Sequence, residues 1–272
     1  MGSIVQSFIA ECGRVWELRD KRTDGWFLAD SPLTPVLGCL TYLLVVKVLG
    51  PRWMKDRPSF QLRNVLMIYN LFQIVFNGWM FYHVCRLTWF NGYSFICQPV
   101  DYSNSSDALQ QVLMGYCFYV SKLIDFLDTI FFILRKKNNQ ITFLHVFHHF
   151  VMALTCFIGF RFMSGGQSAL TPTINTLVHC VMYFYYLLAA MGPRFQKYLW
   201  WKRHLTVLQM IQFICIALHG MMPFIYDCGF PKIYCWFAVA QSIMFLQLFK
   251  DFHSKTYRIS VVDNNVNNNK LK

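Results

Sequence analysis

Phe143-Leu144-His145-Val146-Phe147-His148-His149 opens a stretch that, but for Thr155 and Arg161 near its end, is otherwise apolar as far as Met163. The run is long enough to cross a bilayer, which takes about 20 apolar residues. Imidazoles are costly to bury in lipid, so three of them there point to a functional interior rather than to packing. Positions i, i+3 and i+4 share one helix face, so His145, His148 and His149 are expected to project together into a protein-lined space.

The rest of the chain agrees with a membrane setting. Of 272 residues, 56% are hydrophobic, 18% aromatic and only 14% charged, where a soluble domain carries about 25% charged residues. Seven spans are expected: 33–49, 64–85, 108–134, 141–163, 169–190, 204–226 and 234–252. The reading is an all-α integral membrane protein with one seven-helix domain over 33–252. Residues 1–32 form a luminal N-terminal segment, with both charge signs and no apolar leader. Residues 253–272 form a cytosolic polar tail, Asn-rich and expected to be largely disordered from Asp263 onward.

The net charge of +12 sits in alternate loops. Arg52, Lys55 and Arg57 follow the first span, Arg135, Lys136 and Lys137 the third, Arg194, Lys197, Lys202 and Arg203 the fifth, and Lys255 and Arg258 the seventh. The other loops are poor in Lys and Arg. That alternation puts the N-terminus in the lumen and the C-terminus in the cytosol, and it accounts for the basic charge without nucleic acid, for which no motif is present. Lys47 and Arg161, near span ends, are expected to snorkel. Asn104-Ser105-Ser106 is a glycosylation sequon in a luminal loop. Cys97 and Cys228 fall in two luminal loops where disulfides form, with Cys235 as a rival partner.

Other polar groups recur in the spans. Lys122, Asp125, Asp128 and Thr129 stand in the third. Lys122 and Asp125, three apart, are read as an ion pair, which leaves Asp128 to orient an imidazole. Asn175, His179 and Tyr183 share a face of the fifth span by steps of four. Thr206, Gln209 and Gln212 form a ladder in the sixth, which reads equally as interhelical glue. The histidine run, the third-span charges and the sixth-span ladder lie in the cytosolic half of the membrane and His179 near its middle, so one shared cavity reached from the cytosol is expected. His83, His204, His219 and His253 stand alone and are read as structural.

Two chemistries compete for such a box. Di-iron desaturases and hydroxylases use HxxHH, but draw on several boxes, whereas this chain has eight histidines and one box. Zinc would find few supporting carboxylates. An imidazole nucleophile or base needs no cofactor and suits a thioester with a polar carrier in the cytosol and an apolar tail in the membrane. A lipid carrier using the same cavity is a third class, though transporters often pair broken helices and none are evident here.

At this point a resemblance is specific. Lys122-Leu-Ile-Asp125-Phe-Leu-Asp128-Thr129, His145-Val-Phe-His148-His149, Asn175 with His179-Cys-Val-Met182-Tyr183-Phe-Tyr185-Tyr186, and Thr206-Val-Leu-Gln209-Met-Ile-Gln212 resemble, in order and spacing, the motifs of the ELO family, the animal very-long-chain fatty acid elongases. The likeness spans about 24–258. Asp125 departs from it, standing where the family usually has Glu.

The resemblance implies a 3-oxoacyl-CoA synthase of the endoplasmic reticulum that condenses malonyl-CoA with a long acyl-CoA. It implies six helices in a ring around a closed-ended substrate tunnel, with the first span outside, and a luminal disulfide between Cys97 and Cys228. No cofactor is expected. His148 would attack the thioester, His145 and His149 would exchange protons, and His179 and Asn175 would stabilise the malonyl carbonyl, with Asp128 behind them. Lys122, Asp125, Thr129, Tyr183, Tyr186, Gln209 and Gln212 would complete the substrate contacts. Lys136, Lys137, Lys202 and Arg203 would hold CoA phosphates. Partners would be the bilayer and the ketoacyl reductase, dehydratase and enoyl reductase of the cycle, with a homodimer left open. The C-terminal Lys270-Leu271-Lys272 is an irregular form of the family's lysine-based retrieval signal.

Overall fold

A computed structural model describes the backbone of residues 2–270 and the side chains of 5–7 and 9–257. It is helical, and no strand occurs among the described residues. The elements are α1 (Gly2–Glu17), α2 (Leu33–Met54), α3 (Arg63–Leu87), α4 (Ser106–Ile124), α5 (Phe126–Leu134), α6 (Phe143–Phe162), α7 (Leu170–Ala190), α8 (Lys202–Ile225) and α9 (Lys232–Lys270). Among the described residues, six helices are long and apolar enough to cross a membrane: α2, α3 and α6 to α9, taken with their short flanking turns. Their outward faces carry Leu37, Leu40, Ile68, Val75, Leu218 and Phe237 exposed, as a lipid-facing surface requires.

The expected third span is not one continuous helix. It breaks at Asp125 into α4 and α5, and its charges at Lys122, Asp125 and Asp128 lower its apolarity. Among the described residues, six of the seven expected spans are continuous apolar helices. The Asp125 N–H still reaches Ser121 O at 2.9 Å, but the Asp128 N–H bonds to Asp125 O at 3.2 Å, a tighter turn than an α-helix makes.

Neighbouring helices meet in the order α3, α4, α6, α9, α8, α7 and back to α3. α2 lies against α6, and α5 against α2 through Tyr42, Val46, Met54 and Ile133. α2 contains a π-helical turn, Val45–Leu49, whose Gly50 N–H bonds to Val45 O. Pro51 follows, and its missing N–H would interrupt a regular ladder there. A Cβ at Gly50 would stand 2.8 Å from Val45 O and 3.0 Å from Ile133 Cγ2, so this close approach of α2 to α5 needs glycine.

At the end of the molecule opposite the histidines, loops and the N-terminal segment pack together. Cys97 and Cys228 form a disulfide, with Cα atoms 5.8 Å apart, and Cys235 is a free, buried thiol. Asn104 is exposed, and the next residue, Ser105, caps α4 by accepting from Ala108 N.

Arg161 does not snorkel. It is fully buried, its guanidinium donates to Thr23 Oγ1 and to Asp24 Oδ1 (2.8 Å), and it lies 4.9 Å over the Trp16 ring. The N-terminal segment folds back over α6 and supplies all three partners, which the sequence pattern around Arg161 does not show.

α9 is helical through Lys270. Extension of an existing helix costs no new nucleus. The retrieval-like ending lies partly outside the described residues, as Leu271 and Lys272 do.

Candidate active site

Asp125, at the break between α4 and α5, is the centre of a buried polar network. Its Oδ1 accepts from Gln73 Nε2 (2.8 Å) and lies 3.0 Å from Tyr183 Oη, while Oδ2 accepts from Lys122 Nζ (3.1 Å). Lys122 Nζ also donates to Asn175 Oδ1 at 2.9 Å. Lys122 and Asp125 are each 2% exposed, so each needs the other's charge. The shorter Asp side chain still closes the pair.

His179 Nδ1 stands 3.8 Å from Asp125 Oδ2. Asp128, expected to orient an imidazole, instead accepts from Tyr183 Oη at 2.8 Å. That hydroxyl has one hydrogen between two carboxylates. The break at Asp125 rotates α5 so that Asp128 faces Tyr183, and Asp125 becomes the carboxylate beside a ring.

Thr142 starts α6 by accepting the His145 N–H on its Oγ1 at 3.2 Å, which sets the three histidines in the first two turns. His145 and His149 lie with ring centroids 4.4 Å apart. His145 Nε2 is 2.8 Å from Thr129 Oγ1, so Thr129 braces a histidine. His148 packs edge-on to Phe245, centroids 5.0 Å apart, and 5.6 Å from His149.

A cavity of about 780 Å³ opens among α3 and α5 to α9. It is lined by Asp128, His145, His148, His149, Asn175, His179, Tyr183, Tyr186, Gln209 and Gln212, with Arg135 and Lys202 also on its wall. A narrower chamber of about 100 Å³ continues toward the disulfide end, walled largely by apolar groups such as Met114, Phe118, Met152, Phe160 and Ile216. Four residues line both: His148, Asn175, Gln212 and Phe213. They form a neck between a wide polar space and a narrow apolar one. Gln212 is 5% exposed, and its Oε1 has no hydrogen-bond partner among the described residues.

The four polar clusters of the sequence therefore meet. Lys122, Asp125 and Thr129 stand behind the wall rather than on it. Lys136, Lys137 and Arg203 do not line the cavity. Lys136 ends α5 with a left-handed backbone (φ 53°), and its Nζ donates to Lys55 O at 3.3 Å.

The sequence pattern marks α3 as a span but assigns it no site residue. Gln73 and Asn77 are fully buried, Gln73 donates to Asp125 and to Tyr69 Oη (2.9 Å), and Asn70 lines the cavity. The signal was present, since Asn70, Gln73 and Asn77 repeat at steps of three and four on one helix face. Arg135 was also missed as a cavity residue, although it begins the same basic run.

Known proteins are similar to this chain over most of its length. The chain is 48% identical over 240 residues to a very long chain fatty acid elongase of Aedes aegypti, covering 88% of this chain and 67% of that one. It is 45% identical over 243 residues to very long chain fatty acid elongase 4 of Homo sapiens, covering 89% and 77%. It is 44% identical over 239 residues to very long chain fatty acid elongase 7 of Drosophila melanogaster, covering 88% and 73%. The family profile described as ELO, the GNS1/SUR4 family, matches residues 27–264, a stretch that takes in the histidine run, the Asp125 network and both cavities, so the chain belongs to the ELO family.

Proposed function

We propose that this protein is a condensing enzyme of fatty acid elongation, a 3-oxoacyl-CoA synthase that joins malonyl-CoA to a long-chain acyl-CoA. The observation that carries the reading is the neck. A substrate with a charged carrier and a hydrocarbon tail needs a wide polar space and a narrow apolar one, with reactive groups where they join. His148, Asn175 and Gln212 stand at that junction. The narrow chamber takes the acyl tail as a closed-ended tunnel, and the broken α4–α5 pair serves as the seventh span of the ring.

In the proposed reaction, a neutral His148 nitrogen attacks the thioester carbonyl, the C–S bond breaks, and CoA leaves as the thiol after taking a proton. The product is an acyl-imidazole. Malonyl-CoA then loses CO2, and the electron pair of the broken C–C bond forms an enolate. That enolate attacks the acyl carbonyl and expels His148, whose imidazole takes up a proton from water as it leaves, giving a ketoacyl-CoA two carbons longer. Asn175 has its Oδ1 committed to Lys122, which leaves its NH2 to donate to developing oxyanions. His179, backed by Asp125, supports the malonyl carbonyl, and His149 assists proton exchange with His145 beside it. Arg135 and Lys202 meet CoA phosphates at the mouth. The reaction as written needs no cofactor.

This reading places the protein in the endoplasmic reticulum membrane, with its N-terminus luminal and its C-terminus cytosolic, beside the reductases and dehydratase that complete the cycle. The test is single-turnover mass spectrometry of the purified protein given stearoyl-CoA, then malonyl-CoA. An acyl adduct on His148 that malonyl-CoA discharges into ketoacyl-CoA is the expected result. Product without an adduct removes the nucleophile assignment, and neither adduct nor product across chain lengths overturns the reading.

A further inference from the structure

α2 lies outside the ring of helices, yet one of its side chains reaches the histidine box. Tyr42, 4% exposed, stacks on Phe126 with centroids 4.2 Å apart and planes 13° from parallel. That stacking aims its hydroxyl at Thr129 Oγ1, 2.8 Å away. Thr129, fully buried, is in turn 2.8 Å from His145 Nε2. Tyr42, Thr129 and His145 thus form a three-member chain from the outer helix to the cavity wall.

Hydrogen counting gives the chain a direction. Each hydroxyl owns one hydrogen and a buried one must find an acceptor. Among the described residues, Thr129 is the hydrogen-bond partner of the Tyr42 hydroxyl, so Tyr42 donates to Thr129. Thr129 Oγ1 then spends its own hydrogen on His145 Nε2. That nitrogen must be bare, and the ring proton belongs on Nδ1. The reverse order would bury the phenol hydrogen with nothing to receive it. His145 lines the wide cavity, and the Nδ1–H is the polar group its ring has left to offer.

We infer that Tyr42 is a positioning residue of the reaction: acting through Thr129, it holds His145 in the Nδ1-protonated tautomer, so that His145 serves as a hydrogen-bond donor to substrate rather than as a base. This rests on the condensing-enzyme reading and gives α2 a part in the chemistry.

The test is Tyr42→Phe, which deletes one oxygen and keeps the stack on Phe126. In full-length purified protein supplied with stearoyl-CoA and malonyl-CoA, kcat falls about tenfold, the usual scale for removing a group that orients a catalytic histidine. KM for both substrates stays within about twofold, as expected for a group that does not touch them. Tyr42→Phe combined with Thr129→Val is no worse than Thr129→Val alone, because one relay cannot be broken twice. 15N-histidine NMR, with His145 assigned by difference from His145→Gln, shows a bare Nε2 in the wild type and a tautomer mixture in Tyr42→Phe. A wild-type kcat in Tyr42→Phe, losses that add in the double variant, or a protonated Nε2 in the wild type each overturns the inference. Should Tyr42→Phe fail to fold, the same NMR shift and kcat loss are read in Thr129→Val, with rescue by Thr129→Ser. Absence of ketoacyl product from the wild type would instead count against the reaction, leaving the tautomer measurement to judge the relay by itself.

Discussion

Asp125 Oδ2 and His179 Nδ1 stand 3.8 Å apart across the gap between α4 and α7, and that ring nitrogen has no hydrogen-bond partner among the described residues. Contacts of this kind in a substrate-free site commonly tighten when substrate binds. The same carboxylate is the counter-charge of Lys122. Asp125→Asn therefore removes two things at once, and it leaves a buried ammonium unpaired. Breaking a buried pair from one side costs about 3–5 kcal/mol, so the melting temperature falls together with product formation. Lys122→Met with Asp125→Leu is expected to recover most of the stability and none of the activity. A double variant as unstable as Asp125→Asn would show that the network matters for more than its charges.

Arg135 and Lys202 lie on the wall of the wide cavity, whereas Lys136 and Lys137 do not. Arg135→Gln and Lys202→Gln are each expected to raise KM for both CoA substrates several-fold, with kcat little changed and the effect shrinking as salt screens the phosphates. Lys137→Gln is expected to have the smaller effect. Steady-state kinetics at two ionic strengths decide it. Equal effects at all three positions would mean that the whole basic loop attracts CoA before any one residue holds it.

The histidine box was legible because helical spacing alone groups His145, His148 and His149, and the apolar runs marked the six continuous spans found among the described residues. Asn70, Gln73 and Asn77 were equally legible and went unread, since their span had no charged residue to draw notice. What could not be read is what depends on distant partners or on helix rotation. Tyr42 meets Thr129 across 87 positions, and Arg161 meets Thr23 and Asp24 across 138 and 137. No local pattern encodes either meeting. That Asp125, rather than Asp128, stands beside a histidine ring follows from a one-residue break that hydropathy does not reveal.

Asp24 anchors the N-terminal segment through Arg19 and Arg161. Burial alone would push its carboxyl up, but the hydrogen bonds from Arg19 and Arg161 outweigh it and hold the group below its ordinary range. A carboxylate lowered in the folded state contributes stability above its unfolded pKa of about 3.9, and that contribution is lost as pH falls through the folded value. Asp24→Asn is therefore expected to melt lower than the wild type at pH 7, with the gap narrowing only on acidification below about pH 4. Thermal unfolding across pH measures this. A gap that closed between pH 8 and 6 would assign the effect to another group.

Gln212 separates stability from chemistry most cleanly. Its amide is buried at the neck with an unpartnered Oε1, which is a cost that folding alone does not repay. Replacing an unsatisfied buried polar group with an apolar one of similar size is close to neutral or stabilising. Gln212→Leu is thus expected to keep or raise the melting temperature. If the amide serves the reacting carbonyl, kcat falls by on the order of 10², the scale for losing one such contact. A residue retained only to glue helices predicts the opposite on both counts, a lower melting temperature and an unchanged turnover. Measuring the two quantities on one preparation distinguishes the cases, because the neck lies where His148 also stands and a misfolded site would lower both.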